Sequence, residues 1–207
     1  MVINLHNVQE VLHRLSENGL TANSSKCQFN QSEIKFFGLK LSAKGVSLNE
    51  QKTQALKEFK IPNNAFELHS FLGLSVYASR WIKNLAAISE PLWKLTRSDV
   101  RWEWTGDHQR LFDLIKQSLI NAVGYFHLYW HTFVTVDASP VGLSAVLTQQ
   151  HPKDKDKKKL ILCISRMLTD TEKRYSQIET GAPVWAAERL NMYLLGGHFW
   201  LRIDKRL

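Results

Sequence analysis

The chain is short of cysteine, with two in 207 residues, and short of proline, with five. Cys27 and Cys163 lie far apart and share no metal-type spacing, which argues against a disulfide framework or a thiolate metal site. Reduced thiols of this kind fit an intracellular protein, cytoplasmic or nuclear. No apolar run approaches the ~18 residues of a membrane span, so no membrane partner is expected. Met1-Val-Ile-Asn-Leu-His6 lacks the basic segment and apolar block of a secretory signal. No internal repeat is visible. The one biased tract, Lys153-Asp-Lys-Asp-Lys-Lys-Lys159, reads as a solvated loop.

What is present is a globular composition with an excess of positive charge. Hydrophobic residues make up 44%, enough for one large domain or two small ones with modest cores. The net charge of +8 and pI near 9.5 suit a polyanion, nucleic acid before membrane. Seven tryptophans supply large flat surfaces, most of them expected in the core.

Leu5, Val8, Val11, Leu12 and Leu15 recur at helical steps, and Asn18-Gly19 supplies a stop signal. Lys26-Cys-Gln-Phe29 reads as a short strand. Ile34 to Leu41 and Val46 to Leu48 read as a hairpin, with Gly45 at the turn's positive φ. Gln51 to Phe59 reads as a helix ended by Ile61-Pro62. A second helix starts at Asn63-Asn64, where Glu67 completes a capping box. It carries His69, Gly73 and Tyr77 at four-residue steps, hence along one stripe. Ser89-Glu-Pro91 reads as the start of another helix, and Val100 to Trp104 alternates like a strand. Thr105 caps a helix that buries Leu111, Phe112, Ile115 and Leu119.

The stretch from Phe133 to Thr148 reads as a strand, a turn at Ala138-Ser139-Pro140 and a second strand. Val134 and Val136 share one face; Phe133, Thr135 and Asp137 share the other. An acid ending an apolar strand can face a site, and it can equally form a turn.

Phe133-Val-Thr-Val-Asp-Ala-Ser139, Gly142-Leu-Ser-Ala-Val-Leu-Thr-Gln149 and Ser165-Arg-Met-Leu-Thr-Asp-Thr-Glu-Lys-Arg-Tyr-Ser176 resemble the ribonuclease H region of gypsy-type LTR retrotransposon polyproteins. The resemblance runs through nearly the whole chain. It implies an α/β (α+β overall) fold: reverse transcriptase thumb-type helices and a hairpin, then an incomplete ribonuclease H-like mixed sheet with helices. The domains so implied are 1–62, a palm end with a primer-grip-like hairpin; 63–98, thumb-like helices; 99–124, a tether; and 125–207, a partial ribonuclease H-like domain. The hairpin is similar to the primer grip, with Phe36, Phe37, Gly38 and Leu39 as gripping residues. Leu68 to Tyr77 is similar to the thumb helix that tracks a template–primer duplex, where Gly73 admits the backbone and His69 and Tyr77 stack or hydrogen-bond to sugars. Both segments also read as plain packing elements.

The resemblance makes Asp137 the first metal-binding carboxylate and Asp204, in Phe199-Trp-Leu-Arg-Ile-Asp204, another; Lys205 stands where the family has His. Its substrate would be an RNA–DNA hybrid, cut with Mg²⁺ or Mn²⁺, which suit oxygen ligands. No small-molecule cofactor is implied. The third acid departs from the pattern. Counting forward from Tyr175 puts Gly181 at its position, and counting back from Trp185 puts Glu179 there. A two-residue deletion turns side chains by about 200° on a helix. Pro183 predicts a helix start near Thr180, with Glu179 ahead of it. The resemblance places the polymerase Asp-Asp turn upstream of residue 1 and the final ribonuclease H elements beyond Leu207. The expectation is a retrotransposon-derived fragment without polymerase residues and weak or inactive as a nuclease, or a non-catalytic, basic nucleic-acid-binding module. The rest of a polyprotein is a further expected partner.

Overall fold

The fold is taken from a computed structural model, which describes residues 2–29, 31–119, 123–174 and 178–203, with backbone alone for 2–5 and 178–180. Residues 1–34 and 35–207 form two compact units.

In the first unit, helix α1 (Val2–Glu17) ends as its sequence demands. Gly19 takes φ +68°, Leu20 N–H donates to the Leu15 carbonyl at 2.9 Å and Gly19 N–H to Ser16 at 3.1 Å, a Schellman closure. Val11 and Leu12 are exposed. The strand expected at 26–29 does not form. Asn23 accepts from Ser25 N–H through its side chain and starts a 3₁₀ turn over Ser24–Lys26, a local bond that competes with sheet pairing.

Strand β1 (Glu33–Phe36) spans the division between the units. The chain is not extended through Ile34–Leu41 as expected. Phe37 and Gly38, at φ +46° and +74°, turn it before β2 (Leu39–Ser42). β2 pairs antiparallel with β3 (Gly45–Leu48) from Leu39↔Leu48 to Ser42↔Gly45. Gly45 takes φ +125°, and a Cβ there would fall 2.1 Å from the Val123 carbonyl oxygen. Only glycine fits that bridge.

Helices α2 (Glu50–Lys57), α3 (Ala65–Tyr77), α4 (Leu85–Leu95) and α5 (Gly106–Gln117) follow. Asn49, Asn64 and Thr105 cap α2, α3 and α5 through their side chains. Glu67 reaches back to Asn63 N–H at 2.9 Å and completes the cap of α3. α4 begins four residues before the expected start, so Pro91 lies mid-helix rather than in the first turn. Its missing N–H removes one helical bond, and burial of Leu85, Ala86, Ser89, Leu92 and Leu95 holds the helix regardless. Trp102 and Trp104 keep the expected alternation, packing against the core between exposed Arg101 and Glu103, but no strand pairs there. The core of this part gathers Leu56, Leu68, Phe71, Leu72, Ile82, Leu92, Phe112 and Ile115, with Phe71 and Phe112 rings 4.4 Å apart.

A four-stranded sheet fills the remainder, in the order β6–β5–β4–β7. β4 (His131–Ala138), β5 (Gly142–Gln150) and β6 (Lys158–Met167) are antiparallel neighbours, and β7 (Phe199–Ile203) runs parallel to β4. The Lys/Asp loop covers 151–157, and its last two lysines open β6. Helix α6 (Ile178–Arg189) packs Ala182 and Ala186 on one face of the sheet with Val134, Val136, Leu147 and Ile161, and the short α7 (Asn191–Leu194) adds Leu194. α6 begins two residues ahead of the expected Thr180, so Glu179 is a helical residue and Pro183 the helix's sixth. The buried alanine face compensates for the bond that Pro183 forfeits. No described helix is long and apolar enough to cross a membrane.

Candidate active site and nucleic-acid interface

Alternation along β4 works as the sequence requires. Val134 and Val136 are buried beneath α6, while Phe133, Thr135 and Asp137 turn to the opposite face, half-buried. Asp137 pairs with Ser144 across the β4–β5 ladder. Its Oδ2 accepts from the Asn84 side-chain amide at 3.1 Å, and Ser144 Oγ donates to Asn84 Oδ1 at 2.7 Å. Asn84 lies at φ +53°, just ahead of α4. Ala86 N–H, in the first turn of α4, donates to Ser165 Oγ at 3.1 Å. The start of α4 is thus seated on β5 and β6.

On β7, the parallel register pairs Phe133 with Trp200, Thr135 with Arg202 and Val136 with Ile203. Trp200 stacks on Phe133 at 5.1 Å, and the Arg202 guanidinium lies 4.2 Å from the Phe133 ring. Asp204 falls outside the described residues, and so does the side chain of Glu179. Gly181 is exposed, and a Cβ there would meet nothing within 4 Å. Among the described residues no three acidic, histidine or cysteine side chains gather as a metal site.

The hairpin turn and α3 do come together. Tyr77 Oη donates to the Phe37 carbonyl at 2.6 Å, and a Cβ on Gly38 would fall 2.4 Å from that oxygen. Gly38 is therefore required twice, by its positive φ and by the tyrosine against it. Phe37 is 84% exposed, with its ring meeting only the Phe36 ring, edge-to-face at 4.5 Å, among the described residues. His69, Gly73 and Tyr77 all lie on the exposed face of α3. His69 sits edge-on to Trp93 of α4 at 5.5 Å.

Several neighbours of these groups escaped the sequence. Phe66, three residues before His69, is 81% exposed and lengthens the stripe; its helical spacing was the available signal. Lys52 of α2 lies 5.5 Å over the Tyr77 ring. Asn84 had no signal, being 53 residues from Asp137. Arg166 and Glu172 meet in a two-pronged pair at 2.8 and 2.7 Å, and Glu172 also accepts from Thr169 N–H and Oγ1. The Arg166 hydrogen bonds, then those from Thr169, hold the Glu172 carboxyl down to about 2. Burial pushes the Cys163 thiol up to about 11, against a smaller opposing pull from Lys83.

Residues 104–201 match the family described as an RNase H-like domain found in reverse transcriptase. The Tf2-3 and Tf2-4 transposon polyproteins of Schizosaccharomyces pombe are each 35% identical over 150 residues, covering 72% of this chain. The match spans 11% of the length of those relatives. The foamy viral protease-reverse transcriptase in complex with RNA/DNA hybrid superposes with a TM-score of 0.75 at 22% identity, over 98% of this chain and 28% of that one. The foamy viral protease-reverse transcriptase dRH in complex with ds DNA gives 0.74 at 22% identity, over 98% and 36%. At such identities the likeness to the solved structures is one of fold.

Proposed function

Because this chain belongs to the reverse transcriptase and RNase H-like region of gypsy-type retrotransposon polyproteins, we propose that it binds RNA–DNA hybrid and carries a weak, metal-dependent RNA-cutting site around Asp137. One observation carries the reading. β4 and β7 run parallel in register, and their last described pair is Val136 and Ile203, which Asp137 and Asp204 follow directly in the sequence. Asp137, on the sheet face opposite α6, suits a hard divalent cation as one oxygen donor. Asp137 and Asp204 would hold Mg²⁺ or Mn²⁺, with Glu179 as the third candidate. When bound, such ions supply an activated water and a stabilised leaving oxygen.

The chain's own residues prepare both ends of this task. Asn84 fixes the direction of the Asp137 carboxylate through Oδ2 and leaves Oδ1 for a ligand. Phe37, Gly38, His69, Gly73 and Tyr77 offer an exposed ring, a tight turn held under the Tyr77 hydroxyl, one bare backbone position at Gly73 and two polar aromatics. That set suits sugars and backbone in a shallow minor groove. The nucleic-acid complexes of the foamy viral neighbours support such a use. The site is weak because Gly181 offers no carboxylate at one of the two positions where the third acid is due, and cooperating ligands act as a unit.

Cleavage of a labelled hybrid with Mg²⁺ or Mn²⁺ tests this. Slow cleavage of the RNA strand is expected in the wild type and none in Asp137→Asn; equal cleavage by both removes Asp137 from the chemistry. A second reading, a non-catalytic binding module, is favoured by the carboxylate-free Gly181 position. It predicts salt-sensitive hybrid binding with no cleavage under any metal, and binding that survives Asp137→Asn.

A further inference from the structure

The turn that leads into β4 is built as a rigid platform, away from Asp137. His131, which follows it, stands six residues before Asp137 on the strand, about 20 Å. Trp130 N–H closes the turn on the His127 carbonyl at 3.3 Å. Gln149 of β5, 1% exposed, clamps it from below. Its side chain accepts from His127 N–H at 2.8 Å and donates to the His127 carbonyl at 2.9 Å and to Thr132 Oγ1 at 3.0 Å. Trp130 joins the turn to the lysine-rich loop. His127 stacks on it at 4.6 Å, His151 meets it edge-on at 5.1 Å, and the Lys157 and Lys159 ammonium groups lie 5.8 and 4.9 Å from its ring. The loop holds its own shape: His151 N–H donates to the Lys157 carbonyl at 3.0 Å, and Gln150 Nε2 to the Lys155 carbonyl at 2.6 Å.

The tip of this platform carries what a folded core would normally hide. Leu128 is 83% exposed and Tyr129 89%, and among the described residues Tyr129 makes no hydrogen bond or ring contact. In the adjoining loop five lysines, at 153, 155, 157, 158 and 159, outnumber Asp154 and Asp156. We propose that the turn and the loop form a second nucleic-acid site, one for a single strand with unstacked bases. A base lies on the Tyr129 ring with Leu128 at its edge, and the lysines follow the phosphates. The clamped turn keeps the ring presented before any ligand arrives, which lowers the cost of ordering it. A duplex is the poorer fit, because its base faces are stacked inside and the exposed tyrosine would have no partner. An acidic peptide would satisfy the lysines and leave the ring unused. The site shares no residue with the hybrid-binding and cutting groups above and stands apart from that reading.

The experiment follows binding by the full chain with fluorescence anisotropy at fixed ionic strength, using three labelled probes. They are an oligothymidylate of about 12 nucleotides, a strand of equal length with abasic spacers in place of its bases, and a blunt RNA–DNA hybrid. The wild type should bind the oligothymidylate at least about fivefold more tightly than the abasic strand. Tyr129→Ala should abolish that preference by weakening oligothymidylate binding about fivefold to tenfold, and Tyr129→Phe should keep it. Lys153→Gln combined with Lys155→Gln should weaken both single strands alike, since charge meets phosphate whatever the base. Tyr129→Ala should leave the melting temperature and the affinity for the blunt hybrid unchanged. Equal binding of the two single strands by the wild type, or wild-type oligothymidylate binding by Tyr129→Ala, would overturn the site. So would an equal loss on the blunt hybrid, which would make the turn part of a duplex interface. Poly-glutamate bound more tightly than the oligothymidylate would assign the patch to an acidic protein segment instead. Failure to bind the hybrid, with the oligothymidylate pattern intact, would sink the hybrid reading and leave this site standing.

Discussion

Gly38 is the residue at which a single methylene has the clearest consequence. Gly38→Ala must accept φ +74° and push a Cβ into Tyr77 Oη, so a loss of at least about 1 kcal/mol is expected by thermal melting. Tyr77→Phe leaves the turn and removes one exposed hydrogen bond, about 0.5–1.5 kcal/mol. If hybrid affinity falls in Gly38→Ala but not in a destabilised core variant such as Phe112→Leu, the turn contributes to binding rather than only to folding. Glu172 offers a test with pH. Its carboxyl is held down to about 2 in the folded chain, from an ordinary value of 4.5. The folded state then binds fewer protons than the unfolded one, so the stabilisation is complete above about pH 4.5 and is lost as the pH falls through about 2. Glu172→Gln should lower the melting temperature at pH 7 and make no difference near pH 2. Cys163 is buried with its thiol raised, and native alkylation should therefore modify Cys27 first.

At the scale of the element, α6 holds the sharpest test. A Cβ at Gly181 meets nothing within 4 Å, so Gly181→Glu starts from open space. If the pattern is counted correctly from Tyr175, the substitution raises Mn²⁺-dependent hybrid cleavage at least tenfold; no gain assigns the third acid elsewhere. The elements themselves were legible wherever a local rule sufficed. Asn64 with Glu67, Thr105 before α5, Gly19 after α1 and the alternation of Val134 and Val136 all act within a few residues. What failed were the places where distant packing overrules a local signal. Pro91 and Pro183 sit inside helices because the buried faces of α4 and α6 outweigh one lost hydrogen bond. Trp102 and Trp104 alternate without a strand partner because the core, not a sheet, takes their rings. Of the site, Asp137 was legible as an acid ending a strand, and its Asn84 partner was not, since nothing local joins residues 53 apart.

Across the whole molecule, the balance of charge sets how it meets a partner. A net +8, with five lysines in 153–159, predicts binding that weakens steeply with salt. Each phosphate neutralised on a duplex contributes about −0.9 to the slope of log affinity against log salt. Three to five contacts give a slope of about −3 to −4.5 by that rule. A slope near zero would remove backbone phosphate as the main ligand.

Trp93 lies in the last turns of α4, and Asn84 stands directly before its first. α4 is 11 residues long, about 16 Å from end to end, and it touches His69 near its finish and Asp137 through the residue before its start. A nucleic-acid duplex pressing on the exposed side of α3 would therefore load the far end of a lever whose near end carries the amide aimed at the acid. The orientation of the Asp137 carboxylate would then answer to whatever rests on α3, with Asn84 as the joint between them.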